Sequence, residues 1–85
     1  MARFELRFKR SVLKDLRGMP GKDVRRILKR IDALARDPRG EGCIKLTVKE
    51  YYRVRVGNYR VVYEIRDSEL VILVIKVGHR SMIYR

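Results

Sequence analysis

Residues 50–60 read EYYRVRVGNYR, and this stretch predicts a β-hairpin. Apolar or aromatic side chains alternate with Arg53 and Arg55 along its first half, which is the period-two pattern of a half-buried strand. Gly57 and Asn58 follow where a two-residue turn joins two antiparallel strands. The stretch therefore predicts one strand pair of the fold together with the register between its strands.

The predicted register gives the hairpin one apolar face and one basic face. With a two-residue turn, Val54 pairs with Val61 and Arg55 pairs with Arg60, while Arg53 lies beside the arginine pair. Like charges that lie directly opposite each other destabilise a sheet. A phosphate bound between the two guanidinium groups removes that repulsion, because guanidinium donors match phosphate oxygens.

The charge of the chain favours a polyanionic partner. Its 85 residues contain 22 Lys and Arg against 10 Asp and Glu, a formal net charge of +12. A field of this sign and size favours nucleic acid. A chain of this length has room for one domain and one site.

Cysteine and histidine usage predicts neither a disulfide nor a metal site. Cys43 is the single cysteine and His79 the single histidine, so we expect no cofactor, and Cys43 is interpreted as a small buried hydrophobe. The N-terminal stretch MARFELRFKR lacks the apolar core of a signal peptide, and the apolar run at 70–75 is too short to cross a bilayer. We therefore expect a cytoplasmic protein without a membrane partner.

The residues before the hairpin predict one strand and two helices. Phe4, Leu6 and Phe8 alternate with charged residues, as in a half-buried strand. Apolar residues at helical spacing predict one helix over 11–17 and a second over 21–36. The outer face of the second helix carries Arg25, Arg26, Lys29 and Arg30. We interpret that basic face as a solvated helix surface.

The residues after the second helix predict four strands. Alternation predicts a strand over 44–49, the hairpin supplies two more, and a turn at 67–68 leads to a strand over 70–77. Because this last strand begins with six apolar residues, we expect it to be central and covered on both faces. Without a polar face, the sequence does not fix its register against the neighbouring strand, so it stays open whether Lys76 lies beside the arginines. The predicted fold is one α+β domain over 1–85, with a mainly antiparallel sheet of about five strands and both helices on one face.

Three motifs of this chain resemble the RelE branch of the RelE/ParE toxin superfamily. They are YRVRV at 52–56, GNYRVVY at 57–63, and VGHR at 77–80 followed by Tyr84, and the resemblance covers nearly the whole chain. It implies the toxin of a type II toxin–antitoxin system, a metal-independent endoribonuclease that cuts mRNA in the ribosomal A site through the ribose 2′-hydroxyl. It also implies a cognate antitoxin that wraps and silences the toxin in a hetero-oligomer.

The resemblance also implies substrate roles for five residues of this chain, namely Arg53, Arg55, Arg60, Arg80 and Tyr84. Arg80 resembles the residue that assists the leaving oxygen, and Tyr84 resembles a ring that stacks on a base. The family often has a lysine where this hairpin strand has Arg53 and Arg55. Arginine stays protonated in proteins, so the group that removes the 2′-hydroxyl proton is left open.

Several residues are candidates for that proton transfer. Histidine titrates closest to neutral pH, and His79 stands next to Arg80, although a single histidine after a strand is also an ordinary turn or surface residue. Tyr51 and Lys49 are further candidates. Tyr84 has a structural alternative as well, since a terminal aromatic ring packs readily against a sheet. Three other tyrosines fall on the apolar face of the hairpin and are expected in the core: Tyr52, Tyr59 and Tyr63.

Two other functions are compatible with the same residues. The gyrase-directed branch of the superfamily has the same fold, binds a protein target and cuts nothing. It is expected to have an incomplete set of strand-face cations, whereas all four arginines are present here. A basic RNA-binding module without turnover is the third possibility, because composition alone does not separate binding from catalysis.

Overall fold

The computed structural model describes residues 3–47 and 49–79. Its elements, in chain order, are β1 (Glu5–Phe8), α1 (Arg10–Arg17), α2 (Gly21–Leu34), β2 (Ile44–Lys45), β3 (Tyr51–Val56), β4 (Tyr59–Arg66), a 3-10 turn (Asp67–Glu69) and β5 (Val71–His79). The strands form one sheet in the order β1-β5-β4-β3-β2, in which β1 runs parallel to β5 and the other neighbours are antiparallel. The predicted α+β fold is confirmed.

The predicted hairpin and its register are also confirmed. Tyr59 lies opposite Val56, Val61 opposite Val54, and Arg60 opposite Arg55. Gly57 begins the turn with a φ of +60°, in the left-handed region where a side chain is disfavoured. The turn therefore depends on glycine at this position.

Strand β5 is central, as its apolar sequence predicts. It lies between β1 and β4, and its register against β4 shifts by one residue, so that Tyr63 pairs with Val74 while Val62 pairs with Lys76. The Lys76 ammonium lies 3.4 Å from Oδ2 of Asp15 in α1. The register question that the sequence left open is thus settled: Lys76 lies opposite Val62, on the sheet face that carries Arg53 and Arg55, while its ammonium pairs with Asp15.

Both helices pack on one face of the sheet, which we call the helix face. The core between them and the sheet contains Val12, Ile27, Ile31, Leu34, Tyr52, Val54, Val61, Tyr63, Ile65, Ile72, Val74 and Val77. Tyr52 and Tyr63 are buried there with their rings stacked at a centroid distance of 5.9 Å, while Tyr59 packs partly buried at the edge. The core placement of the three hairpin tyrosines is confirmed.

The strand predicted over 44–49 is mostly absent. β2 contains only Ile44 and Lys45, because the chain turns back at once towards β3 through Lys49, whose φ is +49°. Ile44 pairs with Arg53 and is 49 % exposed, so it lies away from the core. Val48 falls outside the described residues.

Two apolar helix residues are also exposed rather than buried, Leu13 in α1 and Leu28 in α2. Each directly follows a core residue, Val12 or Ile27, and is therefore turned about 100° away from it around the helix axis. The apolar stripe that each helix presents to the sheet is narrower than the sequence pattern predicts.

The loop after α2 is bonded to the sheet. The Tyr63 hydroxyl donates to the carbonyl oxygen of Pro38 at 2.7 Å, and burial raises the pKa of Tyr63. The Arg39 guanidinium donates to both carboxylate oxygens of Asp67 at 3.1 and 2.8 Å and to the Tyr52 hydroxyl at 3.0 Å. The hydrogen bonds from Arg39 lower the pKa of Asp67. These bonds connect the loop after α2 with the turn before β5.

Replacing Tyr63 with Phe is expected to lower the free energy of unfolding by about 1–3 kcal/mol, because the buried Pro38 carbonyl loses its donor. Denaturant unfolding measures this change. Tyr51→Phe, on the opposite face of the sheet, is the matched control and is expected to change stability by less than about 0.5 kcal/mol. Equal losses in the two variants would show that the Tyr63 hydrogen bond contributes nothing specific.

Candidate functional site

The sheet face opposite the helices carries the predicted arginines. We call it the arginine face, and its hairpin residues are Tyr51, Arg53 and Arg55 of β3 with Arg60, Val62 and Glu64 of β4. Arg55 lies opposite Arg60, and Cβ atoms in such pairs are about 4.5–5.5 Å apart. Arg53 is one position further along on the same face, opposite Val62. The structure thus brings three of the predicted residues together.

The two facing arginines have different surroundings. Arg60 is only 2 % exposed, whereas Arg55 is exposed at the surface. On its other side, Arg60 lies opposite Gly78 of β5, which has no side chain to compete for space. A buried guanidinium is held more rigidly and screened less by salt than an exposed one, so Arg60 supplies a fixed charge and Arg55 an adjustable one.

An acidic residue on the arginine face was missed from the sequence. Glu64 lies opposite Tyr51, and its Oε1 accepts a hydrogen bond from Nε of Arg66 at 3.0 Å. The period-two spacing from Arg60 through Val62 indicated this position. Because Glu64 is already paired with Arg66, it cancels little of the positive charge around Arg55 and Arg60.

His79 lies on the helix face, away from the arginine pair. It is opposite Tyr59 in the register, and the two rings meet edge to face with centroids 6.1 Å apart. The Tyr59 hydroxyl donates to Oδ2 of Asp23 in α2 at 2.9 Å, and this bond raises the pKa of Tyr59. His79 borders a cavity of about 250 Å³ between the end of α1 and β5. The structure does not bring this predicted residue to the arginine face.

The other predicted residues lie elsewhere. Arg80 and Tyr84 fall outside the described residues. Lys49 is exposed in the loop before β3, where its carbonyl oxygen accepts a hydrogen bond from Nζ of Lys45 at 3.0 Å. Tyr51 is the one alternative proton acceptor from the sequence that the described structure places on the arginine face.

The basic face of α2 differs in part from the solvated surface that we predicted. Arg25, Arg26 and Lys29 are exposed, but Arg30 is half-buried. Nη2 of Arg30 donates to the carbonyl oxygen of Glu41 at 2.9 Å and lies 3.9 Å from Sγ of Cys43, which is itself half-buried. Arg30 therefore holds the loop before β2 and is fixed in position by it.

Within residues 3–47 and 49–79, no three His, Cys, Asp or Glu side chains are grouped closely enough to hold a metal ion. The same residues include no helix of the length and apolarity needed to span a membrane.

The fold and the motifs agree with known toxins. The family described as ParE toxin of type II toxin-antitoxin system, parDE, matches residues 6–84. Toxin RelE3 of Methanocaldococcus jannaschii is 32% identical over 83 residues, which cover 91% of each chain. The chain belongs to the RelE/ParE toxin superfamily.

Solved RelE structures resemble this toxin over most of its length. The RelE in the archaeal RelE–RelB complex from Pyrococcus horikoshii is 27% identical and superimposes with a TM-score of 0.80, covering 96% of this chain and 99% of that one. The isolated RelE toxin of Escherichia coli is 26% identical with a TM-score of 0.80, covering 89% and 83%. These relatives are named RelE, and the protein is a RelE-like toxin of the type II class.

Replacing Arg55 with Gln is expected to raise the free energy of unfolding at low ionic strength by up to about 1 kcal/mol, because the charge opposite Arg60 is removed. Denaturant unfolding in dilute buffer without phosphate or sulfate measures the gain. At about 1 M sodium chloride the gain is expected to shrink, since the screening length falls to about 3 Å. Arg36→Gln, exposed beyond the end of α2, controls for the change in net charge. Equal gains in both variants would contradict repulsion between the facing arginines.

Proposed function

We propose that this toxin cleaves mRNA on the ribosome, without a metal ion, and thereby stops translation. The observation that supports the proposal is the register of the hairpin, which places Arg53, Arg55 and Arg60 on one sheet face. RelE relatives and the similarity to solved RelE structures support the assignment to this branch of the superfamily. Ribosomes are cytoplasmic, so this is where the toxin acts.

The arginine face suits one part of the cleavage reaction. The ribose 2′-oxygen attacks the adjacent phosphorus and loses its proton, the bond from phosphorus to the 5′-oxygen breaks, and a cyclic phosphate and a 5′-hydroxyl form. The extra negative charge of the pentacoordinate intermediate falls on the phosphate oxygens. Forked guanidinium donors from Arg55 and Arg60 match those oxygens, and preorganised cations contribute several kcal/mol to such stabilisation. The negative charge of the bound phosphate also offsets the repulsion between Arg55 and Arg60.

The proton transfers require groups other than these arginines. Arginine stays protonated, so neither Arg55 nor Arg60 is a suitable base. Tyr51 lies on the arginine face, whereas the His79 ring packs against Tyr59 on the helix face. Tyr51 shares the sheet face of the arginines, four residues before Arg55, so we propose it over His79 as the base, with ribosomal RNA as a further source. By resemblance, Arg80 assists the leaving oxygen and Tyr84 stacks on a base.

The partner that we propose is an acidic antitoxin protein. The RelE of Pyrococcus horikoshii was solved in complex with RelB. This toxin has a net charge of +12, and acidic segments of an antitoxin neutralise that charge while they cover the arginine face. In the resulting hetero-oligomer the arginine face is covered, and the toxin is inactive on RNA.

A second candidate is binding to DNA gyrase without cleavage. The matching family profile carries the ParE description, and ParE-like toxins represent the gyrase-directed branch. The presence of Arg53, Arg55 and Arg60 on one face favours the nuclease, because protein binding alone gives no reason for two cations to oppose each other.

The decisive experiment adds the purified toxin to bacterial and archaeal translation extracts and maps mRNA ends by primer extension. We expect cuts at A-site codons. Arg55→Gln is expected to reduce the cleavage rate by about 100-fold, since one lost charge-stabilising donor costs about 10²–10³ in rate. Arg36→Gln, with the same change in net charge, is expected to cleave at the wild-type rate.

Two results would overturn this proposal. The first is intact mRNA in extracts whose ribosomes are cut by a RelE toxin added as a positive control. The second is equal activity of the wild type and Arg55→Gln. Inhibition of DNA supercoiling by the wild-type toxin, with mRNA left intact, would select the gyrase-binding alternative.

A further inference from the structure

The outer edge of β3 is open over half of its length. β2 pairs Ile44 with Arg53 and Lys45 with Tyr52, and then the chain leaves the sheet. Within residues 3–47 and 49–79, no strand pairs with the outer edge of residues 54–56. This short edge separates the arginine face from helix α2.

Two adjoining depressions run along this open edge, with volumes of about 470 and 570 Å³. Arg30 and Arg55 line both of them. We call the combined feature the edge groove, and its cations are Arg26, Lys29, Arg30, Arg53 and Arg55. Among the described lining residues there is no carboxylate. The groove is therefore a continuous positive surface that reaches the arginine face at Arg55.

Two of these cations are positioned by the folded chain. Arg30 is held by the carbonyl oxygen of Glu41, and its Nη2 lies 3.6 Å from the point that a Cβ on Gly42 would occupy. Arg26 lies against the hairpin turn, with Nη2 3.3 Å from the corresponding point on Gly57. Both glycines have positive φ, and a Cβ at Gly57 would press against the Arg26 guanidinium, whereas one at Gly42 would make ordinary contact with Arg30.

We propose that the edge groove binds the phosphate backbone of RNA beside the phosphate held on the arginine face. Arg55 lines the groove and also opposes Arg60, so one continuous strand contacts both surfaces. The polar side chains that line the groove are all cations, which contact phosphates whatever the base, and it therefore positions RNA without reading its sequence. The choice of RNA as the ligand rests on the proposed function.

An added peptide strand is the other occupant that an open sheet edge suggests, and the side chains argue against it. Charged residues on an edge deter the addition of another strand, and Arg53 and Arg55 flank this one. Ile44 is the large exposed apolar residue in the groove, so an apolar segment finds little to bury there. Neighbouring phosphates satisfy the same cations directly.

Two matched double variants test the groove. Arg26→Gln with Lys29→Gln removes two groove charges three residues apart on α2. Lys22→Gln with Arg25→Gln removes two exposed charges at the same spacing on the same helix, outside the described lining. Fluorescence anisotropy measures the affinity for a 2′-O-methylated single-stranded RNA at several salt concentrations, and circular dichroism checks that both variants are folded.

The groove variant is expected to bind the RNA at least about tenfold more weakly than the wild type at low salt. The slope of its plot of log affinity against log salt is expected to become shallower by about 1.4, which is about 0.7 for each of the two lost phosphate contacts. The control variant keeps the wild-type slope. Equal changes in both variants would overturn the proposal, because they report net charge alone. A groove variant that loses poly-glutamate peptide but keeps RNA would also overturn it.

The methylated RNA makes this test independent of cleavage, since it lacks the attacking hydroxyl. If the wild-type toxin leaves ribosome-bound mRNA intact while the two variants differ in RNA affinity as expected, the nuclease proposal is wrong and the proposal for the edge groove is supported. If mRNA is cleaved and the variants bind alike, the groove fails and the nuclease stands.

Discussion

The two-residue turn of the hairpin is the constraint on which the site depends. A turn of this length fixes the register of β3 against β4, and a shift by one residue would move every side chain to the other face. The positive φ of Gly57 makes this turn possible. The same register buries Tyr52 and Tyr63 against the helices and sets Arg55 opposite Arg60. Core formation therefore stabilises a pairing of charges that is unfavourable by itself.

The rest of the domain supports the hairpin through packing on the helix face of the sheet. Ile27, Ile31 and Leu34 of α2 pack on the apolar side of the hairpin, and Val12 of α1 completes the layer. The loop after α2 is tied to the sheet through Tyr63 and Pro38. The packed apolar core on the helix face holds the hairpin in place, so the charges on the arginine face are preorganised to bind an anion. Preorganised charges are the most effective electrostatic stabilisers of a reaction.

Most of the fold was predictable because local pattern and tertiary packing agree. The alternation in the hairpin, the apolar run of β5 and the helical stripes each report burial directly. The sequence predictions are wrong where the local pattern and the tertiary packing disagree. Residues 44–49 alternate like a strand, yet the return to β3 through Lys49 leaves only Ile44 and Lys45 paired. The bulge that sets Lys76 opposite Val62 depends on side chains far apart in sequence, and no local pattern predicts it.

The candidate site was predictable to a similar extent. The facing arginines follow from the turn length alone, so their placement on one face was correct. The position of Arg30 was not, because its partners, Glu41 and Cys43, come from a loop whose path the sequence does not specify. The role of His79 remains a prediction, although its ring lies on the helix face. Glu64 follows from the same alternation as Arg60 and Val62, so its place on the arginine face was predictable from the sequence.

The anion site formed by the facing arginines is tested by its binding of inorganic phosphate. Nuclear magnetic resonance of the arginine Nε–H groups, followed while inorganic phosphate is added at constant ionic strength, reports each guanidinium separately. We predict saturable shifts with one common midpoint at Arg55 and Arg60, and no such shift at Arg3, whose guanidinium is bonded to Asp32 at 2.9 Å. Small, linear shifts shared by all three arginines would contradict an anion site built by the hairpin register.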